Sequence, residues 1–572
     1  MITAIVAFII IGVAGSAYTV IIRPLSQPNF ANNAFSVLQA PSATPSRINV
    51  IRSSNSSLFH NRADTEEWLT YHHDFSRTGV DPYNPAFPSL SSINRNWISD
   101  PLDGDIYAEP LVAQSRVFVA TENNTIYSLD ADTGKVIWRT NFGAPVSKSD
   151  LPCGNIDPTG ITGTPVIDMR TQTIFAVAFL SDTHRHELFA LDMGTGKIRF
   201  ETAIDPPNSD PTVEQQRSAL ALSYYDDSSN SPGDGGIIAY VPYGGLFGDC
   251  GQYHGWVVGA PISYSSLGSG TTNNSNNSSN SSASSIGTGT TGSKEGTKQQ
   301  LPLLSFQVPT IREGGIWAPS GQAIDDDGNI LVATGNGQPG RNFDYGNSVI
   351  KLSPDLEKVI DWFAPSNWAD LDIHDTDLAS VGPTVLDNNN ISDDGANHNN
   401  STGSSEIFQI GKEGIGYLIR GDKLGGINGQ LFSAPVCDKG AYGGTAYAAP
   451  YLYVPCREGL VALYLQSAAD DSNNNNTIAT TSSNDHGGSN PYSSFIVKWK
   501  GPSFEAGPPI VADGLVWAVD IKKGQLYAFD PSTGKILFQE DLGDVVHFTT
   551  PSSSHGQVFV AATNKIMSFS VK

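Results

Sequence analysis

Short apolar runs separated by turn residues recur along this chain, and few stretches place apolar residues at helical spacing. Val117-Phe118-Val119-Ala120 and Leu515-Val516-Trp517-Ala518-Val519 are typical of these runs. Runs of four to eight residues between turn signals predict strands, and the whole pattern predicts an all-β protein. One unit returns almost unchanged. A strand ends in Asp, Thr-Gly-Lys comes after two intervening residues, and another strand follows. Its clear copies are Ile126–Trp138, Leu188–Phe200 and Leu526–Phe538. The Asp can accept bonds from the backbone ahead of it, and the Gly can take a positive φ.

Degenerate copies begin at Ile237, Ile330, Glu406, Tyr451 and Val558. With the three clear copies they predict an eight-bladed β-propeller, because such a unit cannot bury both faces alone. The last copy stops one strand short. Asn94–Leu102, with Trp97, is expected to supply that outer strand and close the ring, which removes an exposed sheet edge. Three Asn/Ser/Gly/Thr-rich tracts, 265–296, 386–405 and 467–489, carry no apolar period and are expected to be disordered surface loops.

Ahead of the repeats, Ile2–Ile22 is an uncharged, mostly apolar run ended by Arg23. About 20 such residues suffice for a membrane-spanning helix. The run fits an uncleaved anchor, and the small residues Ala14-Gly15-Ser16-Ala17 leave a cleaved signal peptide open. The expected organisation is a membrane anchor or signal segment at 1–23, a flexible stalk at 24–64 and the propeller at 65–572. Either reading of the N-terminus places the propeller outside the cytoplasm, on a single-pass anchor or secreted.

Lys plus Arg is 33 and Asp plus Glu is 57, a net charge of −24 over 572 residues. That balance argues against a nucleic-acid partner, which needs cationic surface. The four cysteines, Cys153, Cys250, Cys437 and Cys456, have no zinc-ligand spacing. An even number outside the cytoplasm suggests two disulfides. Of the three possible pairings, Cys153–Cys250 with Cys437–Cys456 is favoured.

The strand-Leu-Asp-x-x-Thr-Gly-Lys unit resembles the repeat of the pyrroloquinoline-quinone (PQQ) propeller superfamily, the quinoprotein alcohol dehydrogenase-like fold. The resemblance covers about residues 68–572. In the dehydrogenases of that superfamily a stacking Trp precedes a Thr/Ser-Gly-Asn turn whose Asn holds calcium. Here Gly314-Gly315-Ile316-Trp317 is followed by Thr334-Gly335-Asn336. A His-Asp-x-x-Asp motif carries the catalytic base, and His374-Asp375-Thr376-Asp377 lies in its place, one residue short. A carboxylate in a Gly-rich loop is the other metal ligand, with Asp249 in Gly248-Asp249-Cys250-Gly251 as a loose counterpart. The resemblance thus implies Asp377 as catalytic base, Trp317 and Asn336 as cofactor contacts, and Asp249 and Asn336 as calcium ligands. The chain departs from the dehydrogenases in having no adjacent cysteine pair.

Other groups read as structural. His72-His73-Asp74 and His184-Arg185-His186 are expected as surface or turn histidines. Arg217 is expected in a loop contact rather than in a central funnel. The function expected first is an extracytoplasmic, membrane-anchored module that binds a protein or small molecule without turnover. The alternatives are a PQQ- and calcium-dependent dehydrogenase and a scaffold in envelope protein assembly.

Overall fold

Eight antiparallel sheets follow one another along the chain. Blades 1 to 8 open with the inner strands Leu111–Ala113, Val166–Asp168, Ala221–Asp226, Ala323–Ile324, Thr384–Leu386, Ala446–Ala448, Ile510–Ala512 and Ser552–Ser554. The computed structural model describes residues 49–50, 66–81, 93–226, 235–268, 301–340, 342–386, 405–467 and 492–571. Each blade steps outward strand by strand from its inner edge. Blade 3 also pairs Glu214–Gln215 with its second strand, and blade 4 pairs Gly426–Ile427 in parallel with its outer strand.

The ring closes as predicted. Ile93–Ile98 pairs antiparallel with Lys565–Val571 and becomes the outer strand of blade 8. The Leu102 N–H continues the contact onto the Asn564 carbonyl at 2.8 Å.

The repeat exists to hold neighbouring blades together. In blade 1 the Asp130 carboxylate accepts from the Thr133 N–H at 2.9 Å and the Thr133 hydroxyl at 2.6 Å. The turn then passes through Gly134 at φ +69°. Trp97, from the outer strand of blade 8, lies on that turn and donates its indole N–H to the Ala131 carbonyl at 2.9 Å. Trp138 of blade 1 does the same on blade 2, reaching the Met193 carbonyl at 3.2 Å over Gly196. Trp499 of blade 6 reaches the Pro531 carbonyl at 2.8 Å over Gly534 on blade 7. Each indole from one outer strand sits on the glycine of the next blade, where no Cβ fits.

A segment outside the repeats stops the central channel. Residues 66–81 run past the inner edge of every blade. Trp68 exchanges both backbone bonds with Val112 of blade 1 at 2.8 and 2.9 Å. The carbonyls of Leu69, Phe75, Ser76, Thr78 and Gly79 accept from Ile167, Ile324, Val385, Tyr447 and Val511, on blades 2, 4, 5, 6 and 7, at 2.7 to 2.9 Å. Arg77 reaches the Leu220 carbonyl beside blade 3 at 3.1 Å, and Asp81 accepts from Ser553 of blade 8 at 3.1 Å. Arg77 is 1% exposed and also bonds Gln322, Thr70 and Tyr71.

This plug corrects the expectation for His72 and His73. Both are buried, not on the surface, because the chain coils through the channel there with φ of +53° and +72°. His186 is buried too, stacked on Phe179 and 3.0 Å from Asp205. Its strand turns that side chain into the packing between blades, while His184 stays in the turn.

Both disulfides form as expected, Cys153–Cys250 with Cα atoms 6.1 Å apart and Cys437–Cys456 at 5.3 Å. The expected anchor at 1–23 and nearly all of the stalk at 24–64 lie outside the described residues. Within the stalk, Asn49–Val50 forms a two-residue strand against blade 3. Among the described residues no helix is long and apolar enough to cross a membrane. The three low-complexity tracts also lie outside them, except at their ends. Leu267 and Leu386 are buried there, so those two tracts begin slightly later than the sequence suggests.

Candidate functional site

Antiparallel blades send alternate connections to opposite faces. The second-to-third strand turns and the links between blades share one face, and a cavity of about 480 Å³ opens among them on the axis. Asp249, Trp317, Asn336 and Asp377, which span 128 residues, all line it. So does Arg217, contrary to the expectation of a mere loop contact. It sits in the link that enters blade 3, and that link passes along the axis.

Asp377 is the most constrained of these groups. It lies in the link between blades 4 and 5 and is buried. One carboxylate oxygen accepts from the Asn336 backbone N–H at 2.7 Å, and the other lies 2.6 Å from Lys412 Nζ. Gly335 gives the carboxylate its room, since a Cβ there would stand 2.7 Å from Asp377 Oδ1. Burial raises the Asp377 pKa above the usual carboxylate value, against the pull of Lys412. Burial works against the Lys412 charge as well, but Asp377 and Asp375 more than restore it. The lysine also bonds Asp375 at 3.0 Å and hangs 5.7 Å from the centre of the Trp317 ring.

Trp317 is half-buried in the link entering blade 4, with Tyr442 6.4 Å away. Asn336 turns its amide nitrogen to Glu313 at 3.2 Å, which leaves the amide oxygen for another partner. Glu313 is buried at φ +73°. Burial raises its pKa, Arg312 opposes this, and the charges of Asp249, Asp377 and Asp375 raise it further. Asp249 is exposed in the blade 3 turn. Its carboxylate accepts from the Tyr253 hydroxyl at 2.7 Å, and Arg312 holds its carbonyl. The Cys153–Cys250 bridge pins the same turn to the link after blade 1.

The sequence reading missed Lys412 and Glu313. A signal for Lys412 existed. The degenerate copies, aligned at the end of their second strand, place Asp249, Asn336 and Lys412 in equivalent turns of blades 3, 4 and 5. Glu313 carries no such mark.

The family model described as the outer membrane protein assembly factor BamB matches residues 91–177 and 476–572. Those stretches hold the closing strand and two of the three clear turns.

Over these stretches the chain resembles PQQ-like propeller repeats.

Among solved structures, this propeller is similar to a europium-containing methanol dehydrogenase, with a TM-score of 0.59 and 14% identity over 90% of this chain and 100% of that one. It is similar to the quinohemoprotein alcohol dehydrogenase of Comamonas testosteroni, with a TM-score of 0.58 and 13% identity over 91% and 82%. The quinohemoprotein alcohol dehydrogenase ADHIIG from Pseudomonas putida HK5 gives 0.57 and 12% over 90% and 82%. At such identities the likeness is one of fold. Comparison with curated proteins finds no match.

The site's own chemistry suits a planar ligand with a hard cation. Oxygen donors and a flat aromatic face line one cavity, and the charges of Asp249, Asp377 and Asp375 add to the burial that raises the Glu313 pKa beside it, a repulsion that a divalent cation relieves. The acidic groups do not complete a metal site by themselves. Among the described residues, the one trio of Cys, His, Asp or Glu within 4.8 Å is the Cys437–Cys456 bridge with Glu458. A calcium ion would therefore draw on the Asn336 amide oxygen and on oxygens of the ligand itself.

Proposed function

We propose that the axial cavity binds PQQ together with calcium and oxidises an alcohol. The observation that carries this reading is the convergence of Asp249, Trp317, Asn336 and Asp377 on one cavity, with Asp377 held between a backbone N–H and a lysine. PQQ, when bound beside calcium, supplies an acceptor for two electrons at a polarised carbonyl. Trp317 offers it a flat face. Asp249, Asn336 and the neighbouring Glu313 would hold the cation. Asp377 takes the alcohol proton, and its two bonds fix where that oxygen points before substrate arrives. Lys412 opposes the rise that burial gives this carboxyl's pKa. The two disulfides support a propeller outside the cytoplasm, carried on the apolar N-terminal segment or secreted.

Titration of the purified protein with PQQ and calcium chloride tests the reading, followed by absorbance and by reduction of an artificial dye. Saturable binding with alcohol-dependent dye reduction is expected. Asp377→Asn should lose roughly 10²–10⁴-fold in turnover, the usual worth of a positioned base, and keep PQQ binding. A wild-type protein that binds no PQQ in calcium would leave a propeller that binds some other ligand, the role expected first from the sequence.

A further inference from the structure

Two carboxylates meet on one glycine beside the cavity. Gly337 follows Asn336 in the second-to-third strand turn of blade 4. Its N–H donates to Asp372 Oδ1 at 2.9 Å, and a Cβ on it would stand 2.9 and 3.0 Å from the two carboxylate oxygens of Asp344. The acids come from different segments. Asp344 is half-buried farther along the same turn, and Asp372 lies on the buried face of the short helix Trp368–Ile373, in the link to blade 5. Gly346 makes room for both. Its N–H donates to Asp344 Oδ1 at 3.1 Å, and a Cβ there would stand 3.2 Å from Asp372 Oδ1. Neither acid lines the axial cavity.

Asp372 is 3% exposed, and the fold uses only one of its oxygens. Oδ1 accepts from Gly337 and, at 2.9 Å, from the Asn347 amide. Oδ2 is buried with no hydrogen-bond partner. Neither Asp372 nor Asp344 forms an ion pair with a described residue. Burial first, and then the charges of Asp344 and Asp377, push the Asp372 pKa up to about 6. A buried carboxylate oxygen with neither donor nor cation is expensive, and a second acid beside it adds repulsion.

We propose that Asp372 and Asp344 hold a hard divalent cation, at a site separate from the axial cavity.

Hard cations take oxygen ligands, and one placed here satisfies the unused Asp372 oxygen and removes the repulsion between the two acids. The carboxylates supply the charge. Water and backbone carbonyls of the turn complete the ligand set. Asn347 extends the contact, its Oδ1 accepting from the Leu378 N–H at 2.8 Å. The ion would therefore tie the turn that carries Asn336 to the link that carries Asp377.

The inference does not need the quinone reading. A calcium ion on the axis draws on oxygens of a bound ligand, whereas this site is complete without one. Titration of purified, PQQ-free protein with calcium chloride tests it, by calorimetry and by melting temperature, in wild type, Asp372→Asn, Asp344→Asn and Asp249→Asn. Wild type is expected to take up a single ion and to melt higher with it. Asp372→Asn keeps the oxygen that accepts from Gly337 and Asn347 and replaces only the unused one, so it should bind calcium at least ~10-fold more weakly. Asp344→Asn should do the same, and it serves as the variant if Asp372→Asn does not fold. Asp249→Asn alters only the axial cavity and should bind like wild type. Magnesium chloride acting in place of calcium, with the same loss in both variants, supports the same site. Wild type that responds to neither ion would overturn the inference. So would a response that survives in a folded Asp372→Asn or Asp344→Asn, or one that Asp249→Asn alone removes. Protein that binds calcium here but no PQQ upholds this site and refutes the proposed function. Protein that binds PQQ with calcium, yet no ion without PQQ, does the reverse.

Discussion

The indole-on-glycine socket makes a quantitative prediction at Gly196. In Gly196→Ala the backbone keeps φ +71°, which costs an L-residue about 1–2 kcal/mol. The new Cβ would stand 2.5 Å from Trp138 Cε3 and 2.8 Å from Thr140 Oγ1. Carbon contacts settle near ~3.5 Å, so the indole must move by about 1 Å. Overpacking of that kind costs about 1–3 kcal/mol. The move also stretches the Trp138 bond to the Met193 carbonyl, 3.2 Å long, for about 1 kcal/mol more. The sum is about 3–6 kcal/mol. In a Trp138→Ala background the clash with the indole is gone. Gly196→Ala should then cost only the backbone part and the contact with Thr140, about 1–2 kcal/mol. Urea denaturation of the four proteins of this cycle gives the coupling directly, expected at about 2–4 kcal/mol. Equal cost with and without Trp138 would refute the reasoning and leave the glycine a backbone role alone.

Three further outcomes follow from the titrating and buried groups. Lys412 lowers the Asp377 pKa while burial raises it, so on the proposed reaction Lys412→Met should move the acid limb of the kcat/KM profile to higher pH, and it should lower the melting temperature because a buried carboxyl loses its cation. Glu214 is buried and its pKa is pushed up to about 8, chiefly by burial. The folded state binds that proton more tightly than the unfolded chain, so the stability it contributes is complete below pH ~4.5 and is lost as pH rises through about 8. Glu214→Gln should flatten the fall in melting temperature over that window, as measured by calorimetry. Arg77→Met removes four charge-assisted bonds from the plug and leaves their acceptors buried, so a loss of about 3–5 kcal/mol in denaturant is expected.

The architecture was legible because each blade repeats the same local device. The Asp, Thr and Gly of the turn bond within five residues, so their spacing survives in the sequence even where the strands have drifted. The closing strand was legible from a missing partner and from Trp97. The use of that tryptophan was not read, although Trp97, Trp138 and Trp499 occupy equivalent outer-strand positions. The plug was hidden for a different reason. It is held mainly by backbone carbonyls, so its side chains carry no period, and a polar string such as His72-His73-Asp74 looks solvated. Arg217 was misread for a similar cause. Nothing next to it in sequence tells that its link crosses the axis.

The same topology explains why this propeller tolerates three long low-complexity tracts. Apart from Gly245 at a strand end, every described residue lining the cavity comes from a second-to-third strand turn or a link between blades. The tracts interrupt other connections, first-to-second in blade 5 and third-to-fourth in blades 3 and 6. In an antiparallel blade those connections leave from the opposite face, where the Asp-x-x-Thr-Gly turns also lie. Length can therefore vary there without moving a group on the axis. The cavity face obeys a different rule. Its turns are short or pinned, the blade 3 turn by Cys153–Cys250 and the blade 5 turn by Lys412 between Asp375 and Asp377. Positive φ at Asp249, Asp375, Phe548 and the adjacent Glu313 shows the backbone held in costly conformations around one cavity. Packing between blades stabilises the ring without asking for any of these. They suit the ligand proposed above, a flat quinone with a hard cation beside it.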